Sequence, residues 1–154
     1  MIGARIKRTR KGDFQLRLPA EERDLLRALP GQLLQLVGSD DPSLHRLFPP
    51  AYAADPDRER EYRRLMGDDL LERHRQALVV MEETIDAERL DEDQLVGWLG
   101  ALNDLRLVLG TRLDVTEDMY DEEMEPSDPR APAFALYSYL GWLQEQAVAA
   151  LSAG

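Results

Sequence analysis

The chain contains no cysteine and only two histidines, His45 and His74. Without a thiol the protein cannot form a disulfide, use a cysteine nucleophile or bind zinc through cysteine. Two histidines leave little material for a metal site or an acid–base pair. Lysine occurs only as Lys7 and Lys11, so arginine supplies almost all of the positive charge.

Long hydrophobic runs are also missing. No stretch approaches the roughly 20 apolar residues that cross a bilayer, and the first residues lack the apolar segment of a signal peptide. We therefore expect a cytoplasmic protein that makes no contact with membranes. A chain of 154 residues that is 44% hydrophobic can bury one core, which predicts a single domain over residues 1–154.

The apolar pattern predicts a mainly α fold: a helical bundle of about four main helices, with an N-terminal β-hairpin. Apolar and polar residues alternate on both sides of Lys11-Gly12-Asp13, which predicts a hairpin over 1–19. Helical spacing of apolar residues predicts the bundle over 20–151, with Pro30-Gly31 interrupting its first helix. An acidic, proline-containing loop is expected over 114–132.

Two further features define the long helices. A helix from about 57 to 87 carries Tyr62, Met66, Leu70, His74 and Leu78 along one apolar side. The next helix begins at Asp91, which suits an N-cap. Its glycines and Ala101 form a side of small residues that another helix could approach closely.

The net charge of −11 is unevenly distributed. A basic cluster occupies the hairpin and offers phosphate contacts: Arg5, Lys7, Arg8, Arg10 and Lys11. The alternative, which we favour, is that these charges protect an exposed strand edge, because no aromatic residues for base stacking lie nearby.

An acidic run follows the third helix and forms a candidate docking patch for a basic partner: Asp114, Glu117, Asp118, Asp121, Glu122 and Glu123. Its oxygens match several positions of a calcium-binding EF-hand loop, but Met119 stands where a sharp turn needs glycine. We favour a solvated acidic segment. We predict no metal and no other cofactor.

No sequence motif indicates catalysis. The chain has no phosphate-binding loop, dinucleotide glycine motif or nucleophile elbow. His74 lies on an apolar helix side, where a lone histidine is usually structural, and His45 has no evident partner. Trp98 and Trp142 fit core or interface positions better than a ligand cage. We therefore predict that the protein is not an enzyme.

Two stretches resemble a known family: Trp98-Leu-Gly-Ala-Leu-Asn103-Asp104-Leu-Arg106 continuing to Leu113, and Tyr139-Leu-Gly-Trp142-Leu-Gln144-Glu. The chain resembles the actinobacterial domain-of-unknown-function family 2017, which includes the AosR-like oxidative-stress regulators. The likeness extends over nearly the whole chain, although its motif is a helical pattern rather than a catalytic signature.

The resemblance implies a regulatory protein in stress-responsive transcription control, with a sigma factor or another part of the transcription machinery as its partner. It also implies a cysteine pair that senses oxidation. This chain departs from that pattern because it has no cysteine, so thiol-based sensing cannot operate here. Methionine oxidation at Met119 or Met124 is chemically open.

Four polar residues within the motif are candidates for a protein interface or structural ion pairs: Asn103, Asp104, Arg106 and Arg112. Arg106 interrupts an apolar stripe, so we expect a fixed carboxylate partner for it. Arg112 lies at the end of its helix, where the helix dipole favours a cation. We expect these two arginines to matter more than the two histidines, whose joint replacement by glutamine should leave the fold nearly intact.

Three functional hypotheses remain open on the sequence. The first is a non-enzymatic regulatory or adaptor protein that binds another protein. The second is a transcription regulator that contacts DNA through the basic hairpin. The third and weakest is a metal-dependent enzyme that uses the acidic run. A homodimer is also expected, formed through the hairpin edge or through the small-residue helix side.

Overall fold

The structure is a computed structural model, and it describes residues 4–48, 51–113 and 125–153. Helices dominate these ranges, and a small antiparallel sheet lies at the N-terminal end, which confirms the mainly α prediction. No helix in these three ranges is both long enough and apolar enough to cross a membrane.

The sheet has three strands, and the second strand along the chain lies between the other two. Strands β1 (Ile6–Arg8) and β2 (Phe14–Leu16) form the expected hairpin, with Ile6 opposite Leu16. Gly12 adopts a φ of 89° in the turn, a conformation that glycine tolerates best. The sequence reading missed β3 (Arg89–Leu90), which pairs with β2. Two residues between helices are too short a run to show a strand period.

Two short helices follow the sheet. They are α1 (Ala20–Arg27) and α2 (Leu29–Leu36), so the first predicted helix is divided. Pro30 stands in the first turn of α2, where its missing N–H group does no harm. A 3₁₀ turn, Pro42–Leu44, lies in the segment that leads to the long helices.

Three long helices complete the fold: α3 (Pro56–Glu83), α4 (Glu92–Leu113) and α5 (Ala131–Ser152). Asp91 is the predicted N-cap of α4, since its carboxylate accepts from the Gln94 N–H at 2.7 Å and the Gln94 side chain accepts from the Asp91 N–H at 2.9 Å. Helix α5 begins slightly before the end predicted for the acidic loop.

The core lies between α4 and its neighbours. Helix α4 packs on α3 on one side and on α5 on the other, and Trp98 is fully buried with its indole N–H donating to Thr84 Oγ1 at 2.7 Å. The small-residue side of α4 is confirmed, but α3 of the same chain covers it. A Cβ atom added at Gly97 would lie 2.9 Å from Val80 Cγ1. That side is therefore closed to a second chain.

Candidate functional site

The four polar residues of the α4 motif point to three different places. Asn103 and Arg106 face α5, Asp104 faces α3, and Arg112 faces the 3₁₀ turn. The two motif stretches meet where Gln144 Nε2 donates to Asn103 Oδ1 at 3.4 Å. Sequence reasoning found these positions but not their separate roles, because a helix presents residues one apart to different neighbours.

Arg106 lies in a groove between α4 and α5. Its Cδ atom lies 3.6 Å from the position a Cβ would take at Gly141, so the absent side chain leaves room for the arginine stem. The Nε atom is buried without a hydrogen-bond partner. Within the three described ranges no carboxylate forms an ion pair with Arg106, so the predicted carboxylate partner is not found among these residues. The nearby carboxylate of Asp104 faces His74 instead.

Asp104 is the buried charged residue of the motif, with 3% of its surface exposed. Its Oδ2 atom lies 2.7 Å from His74 Nδ1, and His74 Nε2 lies 3.0 Å from the Leu47 carbonyl oxygen. The Phe48 ring contacts the imidazole edge to face. His74 is thus a structural histidine, as expected, but it holds a buried carboxylate. This contact leads us to expect that His74→Gln destabilises the fold, in contrast to the tolerance expected from the sequence.

The Arg112 side chain connects the end of α4 with the 3₁₀ turn. Its Nε donates to Ser43 Oγ at 3.3 Å, and its guanidinium lies 3.6 Å from Asp41 Oδ2. The Ser43 hydroxyl and N–H donate to Asp41 and, with Arg112, hold the pKa of that carboxyl below its usual range. The predicted structural ion pair is therefore present at Arg112.

The basic hairpin is only partly available to phosphates. Arg5 donates to both carboxylate oxygens of Glu22, and Tyr139 donates to the same carboxylate at 2.8 Å. Arg8 donates to carbonyl oxygens at the end of α5 and lies over the Phe14 ring. The remaining members of the cluster are exposed: Lys7, Arg10 and Lys11.

The first half of α3 projects beyond the core. The first buried residue along this 28-residue helix is Leu78, so the apolar side predicted from Tyr62 onward is buried only in its last third. Leu65 is 61% exposed and Met66 38% exposed, and both line a shallow pocket with Tyr52 and Tyr62. Exposed apolar clusters of this kind mark interaction sites.

Side-chain ion pairs keep the projecting half helical without burial. Arg63 and Arg64 bind glutamates one turn earlier, Glu59 and Glu61, and Asp55 caps the helix. The sequence placed Tyr62 and Met66 on the apolar side of this helix, but it gave no sign that this part of the side is exposed.

The remaining candidates from the sequence are the acidic docking patch and His45. The acidic docking patch from Asp114 to Glu123 lies outside the described residues. Among the residues the structure does describe, no group of three or more metal-binding side chains comes together. His45 is exposed, and its Nδ1 lies 2.9 Å from the Pro42 carbonyl oxygen.

Comparisons with known proteins agree with the likeness seen in the motif. The model of a family described as a domain of unknown function (DUF2017) matches residues 1–151. A Mycobacterium leprae protein named "Putative oxidative stress regulator AosR" is 30% identical over 132 residues, which cover 74% of this chain. The chain spans about 60% of the length of that relative. No solved structure matches the chain.

Proposed function

Because the chain belongs to the DUF2017 family, we propose that it is a non-enzymatic regulator of stress-responsive transcription, which acts by binding another protein in the cytoplasm. A relative named as an oxidative stress regulator supports the regulatory role. The partner class that the resemblance implies is a sigma factor or another component of the transcription machinery. Since this chain has no cysteine, the oxidation signal reaches it from a partner rather than through a thiol of its own.

The proposal rests on the first half of α3, which projects beyond the core. A helix that buries no residue over its first five turns gains little from the core, yet it displays Leu65 and Met66 beside Tyr52, which precedes the helix. Partner proteins commonly bind the exposed apolar side of a helix in a groove. The arginine–glutamate pairs that flank Leu65 and Met66 form a polar rim around them, as in protein interfaces generally.

The test is binding of the purified protein to RNA polymerase and to the individual sigma factors of its own organism. We expect one of them to bind, and Leu65→Asp to weaken that binding by roughly tenfold or more, as for a central apolar contact. Val96→Asp is the matched control, because Val96 is also an exposed apolar residue (52%) but lies on α4. Equal losses for both variants, or no binding at all, would refute the proposal.

DNA contact through the hairpin is the second candidate function, supported by the exposed side chains of Lys7, Arg10 and Lys11. Contacts to phosphate weaken steeply as salt rises. If the protein retains DNA at low salt and Lys7→Gln with Lys11→Gln abolishes this, the hairpin contacts DNA directly. Absence of retention at low salt removes this candidate.

A further inference from the structure

Helix α5 is unusual for a helix at the surface. Of its 22 residues only Glu145 is charged. Its inner side is buried through Tyr137, Leu140, Leu143 and Ala147. A helix with one solvent side normally carries charged residues there, whereas a helix that is apolar all round is covered on both sides.

Apart from Glu145, the exposed residues on the outer side of α5 are small or apolar. Those exposed on it recur at helical spacing: Ser138, Glu145, Val148, Ala149 and Ser152. Val148 is 47% exposed. Together with Gly141 and Trp142, most of these residues border the groove that contains Arg106, which has a volume of about 660 Å³.

Two opposite charges face this groove without being paired. Arg106 comes from α4 and Glu145 from α5, and both line the groove. Within residues 4–48, 51–113 and 125–153 neither side chain forms an ion pair. Arg106 is half-buried and lines the groove, and its Nε is enclosed without an acceptor. A carboxylate that reaches this guanidinium would form a charge-assisted hydrogen bond with it.

We propose that the α4–α5 groove is a homodimer interface, in which Arg106 of each protomer binds Glu145 of the other. A two-fold contact joins the same patch on both chains, so a patch that contains one cation and one anion complements itself. Two such pairs form per dimer. The small side chains of Ser138, Gly141 and Ala149 allow the two α5 helices to approach closely, and Val148 and Trp142 supply apolar contact.

This assignment differs from the two dimer contacts expected from the sequence. The small-residue side of α4 is occupied by α3, and β3 pairs with the β2 edge of the hairpin, which leaves β1 as its edge strand. The groove is also separate from the projecting half of α3, so dimer formation and binding of the regulatory partner use different surfaces.

Charge exchange between two chains tests the proposal. The wild-type protein should sediment at twice its 17.5 kDa chain mass at micromolar concentration. The variant Arg106→Glu brings two pairs of carboxylates together across the interface, and Glu145→Arg brings two pairs of guanidinium groups together. Each variant should raise the dimer dissociation constant roughly tenfold or more. An equimolar mixture of the two variants should restore the dimer, because both pairs are then complementary between chains.

Glu83→Arg is the matched control, since Glu83 is exposed on α3; this charge reversal should leave the dimer unchanged. If either reversal disturbs folding by circular dichroism, Arg106→Gln and Glu145→Gln replace it and should each weaken the dimer. A monomeric wild type overturns the proposal and leaves the groove to another protein. Variants that stay dimeric, or a mixture that stays monomeric, also overturn it.

Discussion

His74 and Asp104 join α3 to α4 through a hydrogen bond of 2.7 Å in a largely apolar core. The second ring nitrogen of His74 lies 3.0 Å from the Leu47 carbonyl oxygen. Because both ring nitrogens face acceptors, the ring can donate to both only as an imidazolium. The hydrogen bond to Asp104 accordingly raises the pKa of His74 against the opposing effect of burial. In its protonated form the ring donates to both acceptors and joins the two long helices to the connecting segment.

Replacement of His74 should therefore destabilise the protein in a pH-dependent way. A group whose pKa is higher in the folded state stabilises fully below its unfolded pKa, about 6.5. That contribution is lost as the pH rises through the folded value. We expect His74→Gln to lower the free energy of unfolding by about 3 kcal/mol at pH 6 and by less at pH 9. Urea unfolding at both pH values measures this, and the exposed His45→Gln is the control. An equal loss at both pH values would contradict the ion pair.

Replacement of Glu22 should loosen the hairpin, with the opposite pH dependence. Glu22 of α1 accepts from Arg5, which immediately precedes β1, and from Tyr139 of α5, and so joins these three parts of the chain. The hydrogen bond from Arg5 is the main cause of its lowered pKa. The stabilisation is present above the ordinary glutamate pKa and disappears as the pH falls through the folded value.

We expect Glu22→Gln to cost about 2 kcal/mol at pH 7 and less at pH 3. Thermal unfolding at the two pH values gives the difference. Glu21→Gln is the matched control, because Glu21 is the exposed neighbour on the same helix. If both variants behave alike, the cluster does not stabilise the fold.

Gly97 and Gly67 should respond in opposite directions to alanine. An added Cβ at Gly97 meets Val80 Cγ1 at 2.9 Å, where α3 and α4 are closest, whereas at Gly67 it meets nothing within 4 Å. Gly97→Ala should destabilise the protein by about 1–3 kcal/mol through overpacking. Gly67→Ala should stabilise it by about 1 kcal/mol, because alanine favours the helix. Chemical denaturation of both variants is sufficient, and a stabilising Gly97→Ala would show that α3 and α4 are further apart.

Replacement of Arg106 by methionine should leave the isolated protomer as stable as before or more stable. Methionine keeps the stem beside Gly141 and removes the buried Nε that lacks an acceptor. Removing an unsatisfied donor gains up to about 1–3 kcal/mol. Unfolding measured at concentrations where the wild type is monomeric tests this. A loss of about 3 kcal/mol or more would mean that Arg106 has a partner within its own chain.

The sequence predicted the long helices well because their signals are local. Asp91 caps α4 through Gln94, three residues later, and that spacing is readable in the chain. The hairpin was equally readable from alternation around Gly12. In contrast, β3 was missed because two residues carry no periodicity, and its pairing with β2 joins positions about 75 residues apart.

The residues of the candidate surfaces were also predictable from the sequence, whereas their contacts were not. The motif residues Asn103 and Arg106 were identified from the sequence, and the structure places both against α5. Their partners were not identified: the carboxylate expected for Arg106 is absent from the described residues, and the buried pair is His74 with Asp104 instead. Sequence spacing gives the side of a helix on which a residue lies, but not which charge the neighbouring helix presents there.

The sequence by itself determined the helical fold, the lack of thiol chemistry and the family to which the chain belongs. These follow from residue types and from spacings within one helical turn or one hairpin. Only the tertiary structure decided that α3 extends beyond the core, that α3 fills the small-residue side of α4, and that Arg106 and Glu145 share a groove unpaired. Burial and charge pairing depend on contacts between elements far apart in the chain, and these are fixed only when the helices pack.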